Sequence, residues 1–256
     1  MKLLFFGDIV GQMGRDFLQE KLPGLKRYYQ ADVVVANGEN SAEGNGILPA
    51  SARQLFDSGV DVITTGNHAL QRREIYDLLE ERQGVIRPAN FHPSAPGAGV
   101  YTLDMLRYQL CVINLQGVSY LEPNRNPFDT IDEILAKVDT PNILVDFHAE
   151  ATAEKLALGY YLDGRVSAVF GTHTHVQTAD ERIMPKGTAY ITDAGMCGGF
   201  HSALGVRIDL SIQRFRTGLP TRFENAKETP VLWGVFTEID ERTGRAQAIE
   251  RVDIRG

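Results

Sequence analysis

The chain has 256 residues, 33 Asp+Glu against 26 Lys+Arg for a formal net charge of −7, six histidines and two cysteines. Its 43% hydrophobic and 23% charged composition is that of a soluble globular protein and argues against disorder; this length buries an ample core without disulfide staples. No apolar run approaches the ~20 residues of a membrane span. Cys111 and Cys197, far apart, form neither a disulfide framework nor a thiolate zinc site, and the acidic balance disfavours broad non-specific duplex binding.

The opening Met1–Asp8 carries too short an apolar run for a signal peptide, so Lys2–Phe6 reads as a first strand and a cytoplasmic location is expected. Arg15–Tyr29 has helical apolar spacing at Phe17, Leu18, Leu22 and Leu25, with Pro23 as a kink. Strand Asp32–Ala36 runs into Asn37-Gly38-Glu39-Asn40, and Val60–Thr64 runs into Thr65-Gly66-Asn67-His68. Ala50–Asp57 and Arg72–Arg82 read as helices, and Tyr101–Leu103 with Gln109–Leu115 as a hairpin. Thr130-Ile131-Asp132-Glu133 fits a capping box. Strand Ile143–Phe147 ends at His148, helix Ala151–Leu162 follows, and Val166–Phe170 runs into Gly171-Thr172-His173-Thr174-His175. Ala189–Thr192 leads into Asp193. Val206–Phe215, Val231–Ile239 and Ala246–Ile254 read as strands joined by turns, an antiparallel section that would pair with a second sheet. Strands alternating with helices predict a layered α/β architecture, and the lack of a linker or repeat predicts one domain over 1–256.

The chemistry sits at the strand ends. Asp8, Glu39, Asn40, Asn67, His68, His148, His173 and His175 all follow apolar runs. Ligands bind outside the carboxyl ends of strands in open α/β sheets, so parallel strands would bring these eight residues to one crevice. Carboxylates, imidazoles and amides without thiolate suit iron, manganese or zinc better than calcium. So many ligands would serve a pair of ions roughly 3.5–4 Å apart, bridged by one carboxylate. Such a pair binds a phosphate ester and acidifies a bridging water to hydroxide, and a histidine beside the metals would protonate the leaving oxygen.

Each residue alone has a plainer reading. Asp8 could cap a helix, Glu39-Asn40 could be a turn, and His148 could be a core histidine. His92 and His201 lack motif support, and Cys197 has no partner that would make it a nucleophile. Gly7, Gly11 and Gly14 have the wrong spacing for a dinucleotide loop. His148-Ala149-Glu150 lacks the Pro-Cys-x-x-Cys of a zinc deaminase.

In order and context these residues resemble the calcineurin-like metallophosphoesterases. Gly7-Asp8, Gly38-Glu39-Asn40, Gly66-Asn67-His68, His148 and Gly171-Thr172-His173-Thr174-His175 match that family's successive motifs. Three departures stand out: Val10 at the histidine position of Asp-x-His, Glu39 for the second Asp, and Thr172 inserted before His173. They resemble one subgroup, the YmdB-like metallophosphoesterases, and that resemblance runs nearly end to end. It includes Thr192-Asp193-Ala194-Gly195-Met196 and Arg222-Phe223-Glu224-Asn225-Ala226.

The resemblance implies a four-layer α/β/β/α sandwich with mixed sheets and a phosphodiesterase acting on cyclic nucleotides, 2′,3′-cyclic nucleotides among them. It implies two metal ions, iron first and manganese as the alternative. Asp8, Glu39, Asn40 and His175 would hold the first ion; Glu39, Asn67, His148 and His173 the second, with Glu39 bridging. His68 matches the general acid, although Ala69 stands where many relatives carry an acidic residue, so its orienting partner must come from elsewhere or be water. The expected partner is a small phosphodiester or cyclic nucleotide, with RNA ends within the same chemistry, no membrane, and a homo-oligomer left open. Specificity is expected in the rim loops Ser41–Gly46, Phe91–Gly99, Gly117–Phe128 and Gly195–Gly205. The alternative reading is a metal- and nucleotide-binding regulatory module with little turnover. A nucleotide-dependent oxidoreductase is a third, and survives only without metal.

Overall fold

β1 (Lys2–Phe6) sends Leu3 and Phe5 to one face and Leu4 and Phe6 to the other, and all four are fully buried. A strand apolar on both faces must be covered on both. The computed structural model, which describes residues 1–256, shows how. The chain runs β2 (Asp8–Ile9), α1 (Gly11–Tyr29), β3 (Val33–Asn37), α2 (Pro49–Ser58), β4 (Val62–Thr64), α3 (Tyr76–Glu80), β5 (Val100–Asp104), β6 (Gln109–Gln116), α4 (Pro127–Leu135) and β7 (Ile143–His148). It continues through α5 (Thr152–Leu162), β8 (Ala168–Thr172), β9 (Arg182–Ile183), β10 (Ala189–Ile191), β11 (Met196–Gly199), α6 (Ile208–Thr217), β12 (Pro230–Ile239) and β13 (Ala246–Arg255).

Three apolar clusters define four layers. Leu4 and Phe6 pack against Phe17, Leu18 and Leu22 of α1 and Leu55 of α2. Leu3 and Phe5 pack against Val112, Leu144 and Phe170 of a second sheet. The far face of that sheet, with Ile113, Val145 and Phe147, packs against Ile131 of α4 and Leu158 of α5. The order is helix, sheet, sheet, helix, as the family resemblance implies.

The first sheet has seven strands: β2-β11-β12-β1-β3-β4 along its path, with β13 on β12. β1, β3 and β4 are parallel, while β12 is antiparallel to β1 and β13 to β12. The second is six-stranded, β5-β6-β7-β8-β10-β9, with β6, β7, β8 and β10 parallel and both edges antiparallel.

Four expectations are corrected. The C-terminal pair β12/β13 joins the first sheet rather than a second one: β3 fills one edge of β1, and β12 fills the other from Lys2↔Glu238 to Phe6↔Gly234. Val206–Phe215 is not a strand. Its core is helix α6, closed by Gly218 at φ 68° with Asp209 in the first turn. The capping box at Thr130 is not used, because α4 starts earlier. Asn126 caps it by accepting from the Phe128 N–H at 2.8 Å, and Pro127 takes the first helical position. Arg72–Arg82 is a short 3₁₀ turn, Arg73–Ile75, followed by α3.

The two sheets deliver a polar tier to one edge. On the facing surfaces the alternation is apolar until the carboxyl ends, then changes character. Val33 and Val35 give way to Asn37, Val62 to Thr64, Leu144 to Asp146 and His148, and Phe170 to Thr172. The interlayer core therefore opens into buried hydrogen-bonding groups at the ends of the parallel strands.

Candidate metal centre

All eight predicted residues meet at that edge. Asp8 lies in β2, Glu39 and Asn40 follow β3, Asn67 and His68 follow β4, His148 ends β7, and His173 and His175 follow β8. Asp8, Glu39 and His148 are fully buried. Gly66 is what allows this packing, since a Cβ there would collide with the His148 ring and the Glu39 carboxylate. Glu39, His148 and His173 each offer a ligand atom within 4.8 Å of the others.

The centre of the cluster is His148 Nε2. It lies 3.1 Å from Glu39 Oε1, 3.0 Å from Asn67 Oδ1 and 3.0 Å from His173 Nδ1. One ring proton cannot serve three acceptors at once, whereas a cation can; the donor set fits a metal. His175 Nε2 sits 3.5 Å from Asp8 Oδ1 and 3.3 Å from Asn40 Nδ2.

The outer nitrogens are fixed by neighbours. Thr172 Oγ1 donates to Asp146 Oδ1 at 2.7 Å, so it accepts from His148 Nδ1–H at 2.9 Å. Asp146 is held in turn by Asn37 Nδ2 at 2.9 Å and by the Thr64 hydroxyl. His175 Nδ1–H donates to the Leu204 carbonyl at 3.0 Å, and His173 Nε2–H to Glu150 Oε2 at 3.1 Å. All three imidazoles thus keep a proton outward and turn the other nitrogen inward, as in metal sites whose outer partners set the tautomer.

The electrostatics point the same way. Burial pushes Glu39 up, but His148 and His68 outweigh it and hold the carboxyl well below the usual range. Burial likewise opposes the ionised form of Asp8, and His175 and His148 bring it below its ordinary value. Burial lowers His148, but Glu39 and Asp8 outweigh it and raise the imidazole to about 9. Burial and then the His148 charge lower His173 to about 4. Two buried anions ask for positive charge, which imidazolium or a metal ion supplies.

His68 is part of the same wall. Its Nδ1–H donates to Asn40 Oδ1 at 2.9 Å, with Glu39 Oε1 3.4 Å away, and its backbone N–H donates to Glu39 Oε2 at 3.0 Å. The partner that Ala69 does not provide is therefore Asn40. The cavity, about 350 Å³, is lined by Glu39, Asn40, His68, Glu150, His173 and His175, with Gly44 and Leu204 on its rim. Of the four predicted rim loops, Ser41–Gly46 and Gly195–Gly205 contribute to this lining, and Phe91–Gly99 and Gly117–Phe128 do not.

His92 is exposed, paired with Ser94 at 2.7 Å, and His201 meets Phe200 edge to face; neither lines the cavity. Cys197 is buried against the Trp233 carbonyl, and burial pushes its thiol up, which makes it an inert packing residue. Asp146, Thr172 and Glu150 act as supports that the sequence does not single out. The one usable signal is a lone acidic residue inside the apolar run Ile143–Phe147.

The loop carrying the two C-terminal histidines is strained: His173 has φ 97° and His175 φ 63°. Asp193 holds it. Its Oδ2 accepts from the Thr174 N–H at 3.1 Å and hydroxyl at 2.6 Å, and from buried Lys155 Nζ at 2.7 Å. Lys155→Met would leave Asp193 a buried, unpaired charge. The expected loss is about 3 kcal/mol, a melting point lower by roughly 6–12 °C, readable by calorimetry. An unchanged melting point would show that the pair is neutral for stability.

Two facing mixed sheets, helices outside them, and a carboxylate–imidazole cluster at the strand ends define a metallophosphoesterase-type fold. The family description YmdB-like protein matches residues 4–252, and the chain belongs to that family. It is 49% identical over 254 residues to the Bacillus subtilis (strain 168) 2′,3′-cyclic-nucleotide 2′-phosphodiesterase, covering 98% of this chain and 96% of that one. A crystal structure of a hypothetical protein from Thermus thermophilus superimposes with a TM-score of 0.95 at 40% identity, covering 100% of this chain and 99% of the other. A novel phosphatase from Mycoplasma pneumoniae does so with a TM-score of 0.95 at 39% identity, covering 100% and 93%.

Proposed function

We propose that this chain is a metal-dependent phosphodiesterase that hydrolyses cyclic nucleotides, 2′,3′-cyclic nucleotides among them. The observation that carries the reading is the inward convergence of three imidazole nitrogens on two buried, ionised carboxylates. The activity for which the Bacillus subtilis relative is named supports the substrate class. Asp8, Glu39, Asn40 and His175 would hold one ion; Glu39, Asn67, His148 and His173 the other. Iron is the first expectation and manganese the second, since the donor set suits either. When bound, the ions supply Lewis acidity that neutralises phosphate charge and acidifies water.

The chain's own groups do the rest. Glu39 and Asp8 bring the negative charge that draws cations into the cavity. Asn40 Oδ1 has two lone pairs: one holds His68 Nδ1–H, and the other is free for the first site. With its Nδ1–H pinned to Asn40, the doubly protonated His68 ring presents its Nε2–H to the leaving ribose oxygen. The chain acts as one domain in the cytoplasm on a small phosphodiester, and an RNA end bearing a cyclic phosphate presents the same group.

The test is direct. Protein purified without added metal is analysed for elements, then incubated with 2′,3′-cyclic AMP, and products are separated by chromatography. The expected result is two metal equivalents per chain and ring opening that a chelator abolishes and Mn²⁺ or Fe²⁺ restores. Tight nucleotide binding with no product over long incubation would support the regulatory-module reading instead.

A further inference from the structure

The second sheet carries another cavity, at its β5 edge and on its helix-covered face. The β5/β6 register sets Val100 beside Ile113 and Thr102 beside Cys111, and both partners belong to the apolar cluster under α4 and α5. The cavity there, about 530 Å³, is lined by β5, the loop before it and the α4 segment, and it shares no lining residue with the metal centre.

Two of its lining residues lack what burial demands. Arg87 is 5% exposed, yet it forms no ion pair. Burial lowers the guanidinium from its ordinary value, and Glu80, beyond ion-pair range, offsets this only in part. Nε and Nη2 donate to the carbonyls of Pro96, Ala95 and Gly97, and Nη1 to that of Pro88 at 2.8 Å. Those four bonds fix the side chain, but they leave its charge without a counter-charge and its second Nη1–H without an acceptor. Thr130 is 2% exposed, and its hydroxyl has no partner. A buried cation without an anion and a buried hydroxyl without a bond each cost stability, and such groups call for a reason.

We infer that this cavity binds a nucleoside monophosphate, its phosphate at Arg87 and its nucleoside along the apolar wall. Charge is the first argument. Arg125 is neutralised by Glu133 at 2.7 Å, and Lys137 at the rim has no ion pair. Asp139, exposed at the same rim, is the one lining carboxylate left to oppose Arg87 and Lys137. A phosphate brings negative charge and three terminal oxygens, enough to accept from Arg87, Thr130 and Lys137 together. Size is the second. The volume falls within the ~300–1,000 Å³ of small-molecule sites, and a bare phosphate ion would leave most of it unfilled. Ala89, Val100, Ile134 and Val138 supply apolar wall, and Arg125 a planar guanidinium of the kind on which a base stacks. The inference uses no residue of the metal centre and stands without the reaction proposed above.

The Val100, Ile134 and Val138 methyl resonances of the full-length, metal-loaded chain are followed by NMR as 5′-AMP is added. Saturable shifts are expected, with a Kd below about 1 mM. Adenosine and inorganic phosphate, added separately, are each expected to bind at least about tenfold more weakly. Lys137→Glu and Thr130→Val should each weaken 5′-AMP at least about fivefold and leave turnover of 2′,3′-cyclic AMP unchanged. Without nucleotide, Thr130→Val should melt about 2–4 °C higher, because it removes an unpaired buried hydroxyl; its weaker binding is then no sign of a damaged fold. Methyl resonances unmoved at about 5 mM 5′-AMP overturn the inference. So does inorganic phosphate binding as tightly as 5′-AMP, which would assign the cavity to a free ion. Wild-type affinity in both Lys137→Glu and Thr130→Val overturns it equally.

Discussion

Glu39→Gln is expected to lower turnover by at least about 10³-fold and to reduce bound metal below two equivalents per chain, with the fold retained. The substitution keeps the side chain's shape but removes the one carboxylate placed between both halves of the cluster. Glu39 Oε1 is 3.1 Å from His148 Nε2 and 3.4 Å from His68 Nδ1, and Asn40 Nδ2 donates to it at 3.1 Å. It is also the strongest attraction raising His148. Neutralising it therefore weakens the charge that draws cations in and loosens the imidazole cluster together. Elemental analysis beside a cyclic-nucleotide assay separates these effects. Two equivalents of metal with near-normal turnover would remove Glu39 from the centre. Asp8→Asn is the useful comparison, since Asp8 reaches His175 and the His173 backbone rather than His148 Nε2.

Why so much of this site is legible in the sequence is a matter of where its residues stand. Each candidate follows a run apolar enough to be a buried strand, so its position at a strand end is local information. The supporting layer is not local. Thr172 matters because its hydroxyl lies between Asp146 and His148 on the adjacent strand, a fact of sheet register. Asn40 holds His68 across two loops, and the Leu204 carbonyl holds His175 from far along the chain. No single-residue pattern encodes those distances.

The helix that reads as a strand has a different cause. Val206, Ile208, Leu210 and Ile212 alternate as a strand would, while Ile208, Ile212 and Phe215 also fit a helical face. Periodicity permits both, and the deciding signals are Gly218 in the left-handed region and the separation of α6 from either sheet. The C-terminal strands are legible as strands, but their sheet is not, because the vacant edge of β1 is a property of topology.

His68→Asn should lower turnover on a 2′,3′-cyclic nucleotide by about 10²–10⁴-fold while leaving metal content near wild type. The reason lies in the leaving group. An alkoxide of ribose is a strong base and leaves poorly without a proton, which the doubly protonated His68 ring can give from Nε2 while its Nδ1–H, bound to Asn40 Oδ1, holds the ring in place. A nitrophenolate needs no such help. The same variant should therefore lose far less rate, less than about tenfold, on bis(p-nitrophenyl) phosphate than on the cyclic nucleotide. This contrast distinguishes an acid from a ligand. If His68 instead held a metal ion, both substrates would suffer alike and metal content would fall. If it were only a packing residue, partly exposed in the cavity wall, neither rate would change much. Asn40→Ala should slow both substrates, because it removes a proposed ligand of the first ion, and slow the cyclic nucleotide further, because it frees the His68 ring to turn. A rate that fell equally on both substrates in the His68 variant, with metal intact, would place the proton donor elsewhere in the cavity.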